Sequence, residues 1–430
     1  MLLKSGSLML TGTIACVIVS GNVGVVRAAG IELREQSADG LANAYAGVAA
    51  KAYNATTVFY NPAGMAFLQG NQIASTNTYI MPKSSFSGTV TGAGLSGTPQ
   101  GGPSGQFAPT APVGAMYAVW DYSANLKFGL AANTPFGLRT SYPDQWIGRY
   151  QALHSNITNF TFSPSVAYRI NEQLSVGVGW QIGYFNAVLS QAINLPGLGL
   201  GRYDAHQSLS GNAVGFGGDI GFLYELDPAT RVGLNYRSQI KYNLHGWSDV
   251  SAPTSLAALS TTFQSSGMNV SIKMPDMVTL SAYHEIDPRW AVMASVEWTN
   301  WSVLKELNIQ FNNGRANTVI PENWHNSWAF SVGATYTADD RAKFHIGFAY
   351  DQSAISSANL TARLPDANRC AITGGYSYRL TEKLQAIFAY GHLFFDHSNI
   401  SAQGTSAAGL LLGGYDTSAN IVSIGLSMKL

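Results

Sequence analysis

The sequence predicts an all-β membrane protein, a 14-stranded antiparallel transmembrane β-barrel, and three observations carry that prediction. Charge is too sparse for a water-facing surface, yet no long apolar helix takes up the deficit. Apolar residues fall at every second position in many segments. A tight polar turn recurs along the chain, usually with an aromatic residue just before it.

Of the 430 residues, 46% are hydrophobic and 11% are charged, with a mean hydropathy of +0.04. An ordinary soluble domain is about 25% charged. Beyond the N-terminus no stretch approaches the ~20 continuous apolar residues of a spanning helix. A strand-crossing protein resolves the contrast, because its lipid-facing residues are spread along alternate positions. The 45 glycines and 21 tyrosines suit it. Lys+Arg and Asp+Glu are both 24, so no basic excess argues for nucleic acid.

Residues 1–28 read as a signal peptide. A lone Lys4 precedes an apolar run from Leu8 to Val19, and Val26-Arg27-Ala28 supplies small residues at the cut. Cleavage after Ala28 leaves 402 residues beginning Ala29-Gly30-Ile31. Reading Cys16 as a lipoprotein cysteine is disfavoured by Thr13, which stands where such a site wants an aliphatic residue. Cys370 is then the only cysteine of the mature chain, and no intrachain disulfide can form.

Residues 29–70 do not alternate like strands. Ala42, Ala44, Ala46, Ala49, Ala50 and Ala52 make a small-residue stretch that ends at the turn-forming Tyr60-Asn61-Pro62-Ala63-Gly64. Composition leaves two readings open, a periplasmic leader strapped to the barrel or a plug inside its lumen.

Residues 71–430 carry the strands. Tight turns are expected at Asp121, flanked by Trp120 and Tyr122, and at Asn171-Glu172-Gln173 after Tyr168. Four more follow at Asp227-Pro228, Asp287-Pro288, Asp339-Asp340 and Thr381-Glu382, each with a tyrosine shortly before it. Between them Val176, Val178, Trp180, Ile182 and Tyr184 interleave with Ser175, Gly177, Gly179, Gln181 and Gly183. Phe344, Ile346, Phe348 and Tyr350 do the same, as do Val422, Ile424, Leu426, Met428 and Leu430. Successive strand side chains point to opposite faces, so each segment has one apolar face, and the aromatics at the turns fit a girdle at the membrane interface. Six tight turns and seven longer connections, near 84–109, 138–156, 191–207, 249–268, 312–325, 355–367 and 401–419, join 14 strands. Closure is required, since an open edge in hydrocarbon leaves backbone groups unpaired at several kcal/mol each.

Several motifs stand in a fixed order along this frame. Ala29-Gly30-Ile31 precedes Gly40-Leu41-Ala42-Asn43-Ala44-Tyr45-Ala46-Gly47, and Asn61-Pro62-Ala63 follows. Then come Pro135-Phe136-Gly137-Leu138 with Trp146-Ile147-Gly148-Arg149-Tyr150, Trp298-Thr299-Asn300-Trp301-Ser302 with Glu306-Leu307, and Leu364-Pro365-Asp366-Ala367-Asn368-Arg369. In these the chain resembles the FadL-type family of outer-membrane transporters (OMPP1/FadL/TodX), which carry long-chain fatty acids and other hydrophobic compounds. The resemblance implies that residues 29–70 form a hatch inside the lumen, with Asn61, Pro62 and Ala63 taking part in gating. It implies passive transport across the Gram-negative outer membrane, with capture at the outer loops, an internal pocket, and sideways exit through a gap near the third strand. The chain departs from common practice at its end, where Leu430 stands in place of the aromatic read by the barrel assembly machinery.

A greasy ligand suits this chemistry. A chain of roughly 16 methylenes at ~0.8 kcal/mol each gains from an apolar route that a water-filled pore denies it. The outer connections contain Leu195, Leu198, Leu256, Leu259 and Phe263, and Leu410-Leu411-Leu412 stand near another. Such exposed apolar residues either meet a ligand or pack on one another as a lid. A carboxylate head group wants a cation, and Arg202 or Lys305 beside Trp301 are candidates, although such a residue is more often a solvated or wall-paired charge. Arg149 is explained as well by a structural ion pair.

The expected partners are hydrophobic small molecules, outer-membrane lipid and lipopolysaccharide, and the assembly machinery, with the protein acting as a monomer. Monoaromatic hydrocarbons are the alternative cargo, and a porin for hydrophilic solutes is a weaker reading. No catalytic residue, cofactor or metal site is expected. The eight histidines show no ligand spacing and no Gly-x-Ser-x-Gly elbow occurs.

Overall fold

The computed structural model describes residues 30–92, 101–196, 199–200, 203–252, 255–256, 260–404 and 408–430. The expected signal peptide, Leu198, Arg202 and Leu259 lie outside these described residues. The first six strands are continuous: β1 (Gln72–Thr91), β2 (Ala111–Asp121), β3 (Leu126–Ser141), β4 (His154–Arg169), β5 (Leu174–Ile193) and β6 (Ala205–Asp227). The next four are each broken once. They are β7 (Thr230–Arg237 and Ile240–Ser251), β8 (Ser266–Met274 and Met277–Glu285), β9 (Trp290–Thr299 and Glu306–Phe311) and β10 (Thr318–Pro321 and Ser327–Thr337). The circuit is completed by β11 (Ala342–Asp351), β12 (Arg369–Arg379), a broken β13 (Leu384–Phe395 and Ser398–Gln403) and β14 (Leu410–Lys429).

Each strand pairs antiparallel with the next, and β14 pairs with β1 from Lys429↔Gln72 to Leu410↔Thr91. The sheet is therefore a closed 14-stranded barrel. Closure meets the demand that hydrocarbon places on backbone N–H and C=O groups.

The six tight turns form where they are expected, and side chains explain why. Asn171 Oδ1 accepts from the N–H groups of Gln173 and Leu174, at 2.9 and 2.7 Å. Asp227, Asp287 and Asp339 accept in the same way from backbone two or three residues on. Ser123 and Thr381 do so through their hydroxyls. A short oxygen at the first position thus satisfies donors that the reversing chain takes out of the ladder.

Most long connections also fall as expected, with two differences. Residues 84–91 belong to β1, and Leu410, Leu411 and Leu412 open β14, opposite Thr91, Val90 and Thr89. Leu411 is fully buried. This triplet is wall, held by a strand partner on each side.

Alternation has two phases. On the turn-side half of the barrel the apolar face points outward: Val178, Trp180, Ile182, Tyr184, Phe344, Ile346, Phe348, Ile424 and Leu426 are exposed. Their inward neighbours are small or hydroxylated, as with Ser165, Ser175, Ser281, Ser295 and Thr373. Towards the long connections the phase inverts. Ile240, Tyr242 and Leu244 point inward and are buried, while Lys241, Asn243 and His245 point out. That half presents a polar outside and an apolar inside.

Candidate functional site

The N-terminal segment occupies the turn-side lumen. Residues 30–70 contain only short helices, Ala38–Ala42, Thr57–Tyr60 and the 3-10 turn Pro62–Phe67, and nearly every residue is buried. Their partners lie on strands around the whole ring. Gly47 N–H donates to Ser295 Oγ on β9 (2.8 Å), and Ala49 N–H to Ser281 Oγ on β8 (3.1 Å). Asn43 Nδ2 donates to Ala334 O on β10 (2.9 Å), and Ser175 Oγ on β5 to Ala63 O (3.0 Å). The small hydroxylated inward face of the wall thus satisfies the main chain of the segment. Glycines let the two backbones touch: a Cβ at Gly233 would overlap the Ala49 carbonyl, and one at Gly347 the Asn43 main chain. This is what the alanine-rich composition is for, since larger side chains find no room against those walls.

Asn61, Pro62 and Ala63 pin the segment. Asn61 is fully buried. Its Nδ2 donates to Ala49 O at 2.7 Å and to Phe222 O of β6 at 3.0 Å, while its Oδ1 accepts from Ala63 N–H at 3.1 Å. Pro62 opens the 3-10 turn, where its missing N–H costs nothing.

A second set of contacts lies at a break in the wall. β2 and β3 pair only from Met116↔Ala132 to Asp121↔Lys127, so the ladder between them stops halfway. Beyond it β3 bulges between Asn133 and Phe136 against β4. The N-terminal segment covers this edge from within. Leu33 N–H donates to Pro135 O and Gly137 N–H to Ile31 O, both at 2.9 Å. Gln36, fully buried, completes the cover: its Nε2 donates to Thr134 O at 2.7 Å, and its Oε1 accepts from Thr134 N–H at 3.2 Å and Asn133 Nδ2 at 3.3 Å. On the outer wall beside the last paired rungs lies an apolar concavity of about 500 Å³ lined by Ile73, Met116, Leu130, Ala132, Leu426 and Met428.

Charges buried above the segment hold its first residues. Arg34 bridges Asp351 (2.9 Å) and Glu297 (3.5 Å), and Arg369 also bridges Asp351 (3.0 Å). Burial works against the charge of Arg34, but Asp351, Glu297 and Glu32 outweigh it and raise its pKa. Burial and the nearby Glu297 push Glu32 well above the usual carboxylate range. Gly30, at φ +66°, packs against Trp301 and Trp324 with no space for a side chain. Its N–H donates to Asp366 Oδ2 at 3.0 Å, and burial pushes Asp366 up to about 7.

The outer half of the lumen holds a nearly pure apolar pocket. Ile157, Phe185, Ala187, Leu189, Leu209, Leu244, Met268, Val270, Ile272, Leu307 and Ile309, from six successive strands, line it. Apart from Leu307, quoted with Glu306 as a motif, none of these residues stood out in the sequence. The available signal was the inverted alternation, in which apolar residues interleave with Lys241, Asn243 and His245 instead of Gly and Ser.

The residues singled out from the sequence sit elsewhere. Leu195 and Leu256 are buried together with Ala205, with Phe263 packed at their edge, so these outer connections cover one another. Trp301 is fully buried, its ring 5.0 Å from Trp324 and 5.9 Å from Phe136, and it anchors the start of the N-terminal segment. Lys305 is exposed, and its carbonyl accepts from the N–H groups of Glu322 and Asn323. Arg149 pairs with Asp204 at 2.7 Å. Among the described residues no cluster of three or more His, Cys, Asp or Glu is placed to hold a metal.

Comparison with known proteins places this arrangement. Residues 19–430 match the family model described as outer membrane protein transport protein (OMPP1/FadL/TodX). The chain is 28% identical over 387 residues to a long-chain fatty acid transport protein of Escherichia coli K12, covering 81% of this chain and 84% of that protein. It is 28% identical over 404 residues to outer membrane protein P1 of Haemophilus influenzae, covering 86% and 87%. Among solved structures, a Pseudomonas aeruginosa FadL homologue superposes with a TM-score of 0.87 at 21% identity, over 93% of this chain and all of that one, 100%. The Pseudomonas putida toluene transporter TodX superposes with a TM-score of 0.69 at 15% identity, over 94% and 99%. These two likenesses are of fold.

Proposed function

The chain belongs to the outer membrane protein transport family (OMPP1/FadL/TodX), a transporter of the Gram-negative outer membrane, and from that premise we propose that it takes up long-chain fatty acids or similar hydrophobic molecules. The single observation that carries the reading is the pairing of an apolar lumenal pocket with a wall ladder that stops between β2 and β3. A ligand enters the pocket, which spares its hydrocarbon a wet passage. It then leaves sideways once residues 31–36 lift from the edge of β3, into the apolar concavity beside Met116. Asn61, Pro62 and Ala63 serve as the fixed end about which that lifting occurs, supported by their bonds to Phe222 and Ser175. The likeness to the E. coli fatty acid transport protein favours an acyl chain, and the fold likeness to TodX keeps a monoaromatic hydrocarbon as the second cargo to test.

Transport here needs no energy source and no catalysed reaction. Closure within one chain supports action as a monomer, inserted by the barrel assembly machinery and bordered by lipopolysaccharide around its exposed apolar belt. Cleavage after Ala28 starts the mature chain at Ala29, one residue before Gly30.

The test is uptake of radiolabelled oleate and toluene by cells lacking their own fatty-acid channel, with the full chain or with residues 29–35 deleted. Oleate uptake by the full chain and none by the deletion is expected. Unchanged uptake by a folded deletion variant sinks the lifting mechanism, and uptake of toluene alone replaces the acyl reading.

A further inference from the structure

Lys241 of β7 and Lys273 of β8 stand directly opposite one another in the ladder, both exposed on the outer face of the barrel. Like charges in that position repel. Among the described residues neither side chain has an ion pair or a hydrogen bond. The nearest acid along the chain, Asp276, accepts instead from Asn300 Nδ2 at 2.8 Å. Three layers are stacked on this face. Nearest the turns, Leu234, Tyr236 and Leu280 are exposed to lipid, as is Phe216 on the adjoining β6. The lysines come next. Counted from the turn at Thr230, with strands rising ~3.3 Å per residue at a tilt of about 40°, Lys241 stands ~28 Å up, just past an apolar band of ~25 Å. Beyond them runs a polar ladder. Ser271 Oγ donates to Asn243 Oδ1 at 3.0 Å, His245 Nδ1 meets Asn269 Oδ1 at 2.6 Å, and Asn269 Nδ2 donates to Asn312 Oδ1 at 3.2 Å.

We propose that this outer face of β7 and β8 binds a lipopolysaccharide molecule, a phosphorylated glycolipid, with one of its phosphates held between Lys241 and Lys273. A phosphate set between two ammonium groups replaces their repulsion with charge-assisted hydrogen bonds. The order of the layers selects the ligand. Acyl chain, phosphate and sugar follow one another outward from the hydrocarbon in such a lipid, and apolar belt, lysine pair and polar ladder follow in the same order here. Asn243, His245 and Asn312 are exposed and offer amide and imidazole groups to sugar hydroxyls. A phospholipid carries the phosphate but no sugar for that ladder. The site rests on the reading above that lipopolysaccharide borders the barrel, and it is independent of the cargo carried inside.

The experiment measures binding to the detergent-purified full chain by native mass spectrometry. The probes are rough lipopolysaccharide, the same lipopolysaccharide with its phosphates removed enzymatically, and phosphatidylglycerol. The variants are the double substitutions Lys241→Gln with Lys273→Gln and Lys241→Arg with Lys273→Arg, and the control is Lys83→Gln, another exposed lysine, on β1. Wild-type protein is expected to prefer the phosphorylated lipopolysaccharide. The double glutamine variant should weaken it roughly tenfold or more, the range of a charge-assisted bond, and leave the dephosphorylated form unchanged. The double arginine variant and Lys83→Gln should retain wild-type affinity. Migration as a folded band on unheated gels separates a lost site from a lost fold. Unchanged lipopolysaccharide affinity in a folded double glutamine variant overturns the site, as does an equal loss in Lys83→Gln. Phosphatidylglycerol bound as tightly as lipopolysaccharide overturns the glycolipid assignment. A wild-type chain that binds no lipopolysaccharide removes the bordering lipid itself, and the site with it.

Discussion

Gln36 is the residue whose loss should unfasten the N-terminal segment from the wall without disturbing the barrel. It lies fully buried at the point where the ladder between β2 and β3 has stopped, and three of its hydrogen bonds reach β3. Two of these satisfy the N–H and C=O of Thr134, main-chain groups that the bulge has taken out of register with β4. In Gln36→Ala both are left half-buried and unpaired. At about 0.5–1.5 kcal/mol net for each bond, with the higher end for groups stranded away from water, docking of residues 31–36 should weaken by ~2–4 kcal/mol. At 1.36 kcal/mol per decade that is roughly a 30- to 1000-fold larger opening constant. Gln36→Glu should do no better, because a carboxylate accepts from Thr134 N–H but cannot donate to Thr134 O. Amide hydrogen exchange reads the constant directly at Leu33 and Gly137, whose N–H groups close the contact. Residues 344–350, in the ladder between β10 and β12, serve as the internal control. Exchange at Leu33 that stays within threefold of wild type refutes the reasoning. So does acceleration that spreads equally to residues 344–350, since the bond would then support the whole barrel.

Two further outcomes follow from the same contacts. Gly233→Val sets a side chain against the Ala49 carbonyl and should displace the segment from a barrel that still migrates as folded on unheated gels; steady ion conductance in planar bilayers is expected, and a silent bilayer contradicts the close packing. Stability should also depend on pH through Asp366. Burial raises its pKa to about 7 in the folded protein against an ordinary 3.8, outweighing the Gly30 N–H bond that pulls the other way, so the folded state keeps a proton that the unfolded state loses. Stability therefore falls as pH rises from about 4 to 7 and levels off above. Thermal unfolding at pH 5 and pH 8 should show the difference, and Asp366→Asn should abolish it.

Alternation was legible in the sequence, but its direction was not. Val178, Trp180 and Ile182 face lipid, whereas Ile240, Tyr242 and Leu244 face the lumen, although both runs place apolar residues at every second position. Period two states that a strand has an apolar face; whether lipid or ligand covers that face depends on how far the strand rises above the membrane. The pocket was missed for that reason. The outer-loop leucines drew attention because apolar residues are conspicuous there, and Leu195 and Leu256 are buried against each other.

Strand number, turn positions and the separateness of residues 30–70 were determined by the sequence alone, because each rests on local chemistry. Asn171, Asp287 and Asp339 bend the chain through bonds to backbone two or three residues away. Such signals survive in a linear reading. The pairing of Arg34 with Asp351, of Gln36 with Thr134, and of Phe311 with Met268 joins residues far apart in the chain. So does the early end of the ladder between β2 and β3. These were decided only when the sheet closed, since closure sets the register of every strand at once and so determines which distant side chains share the lumen.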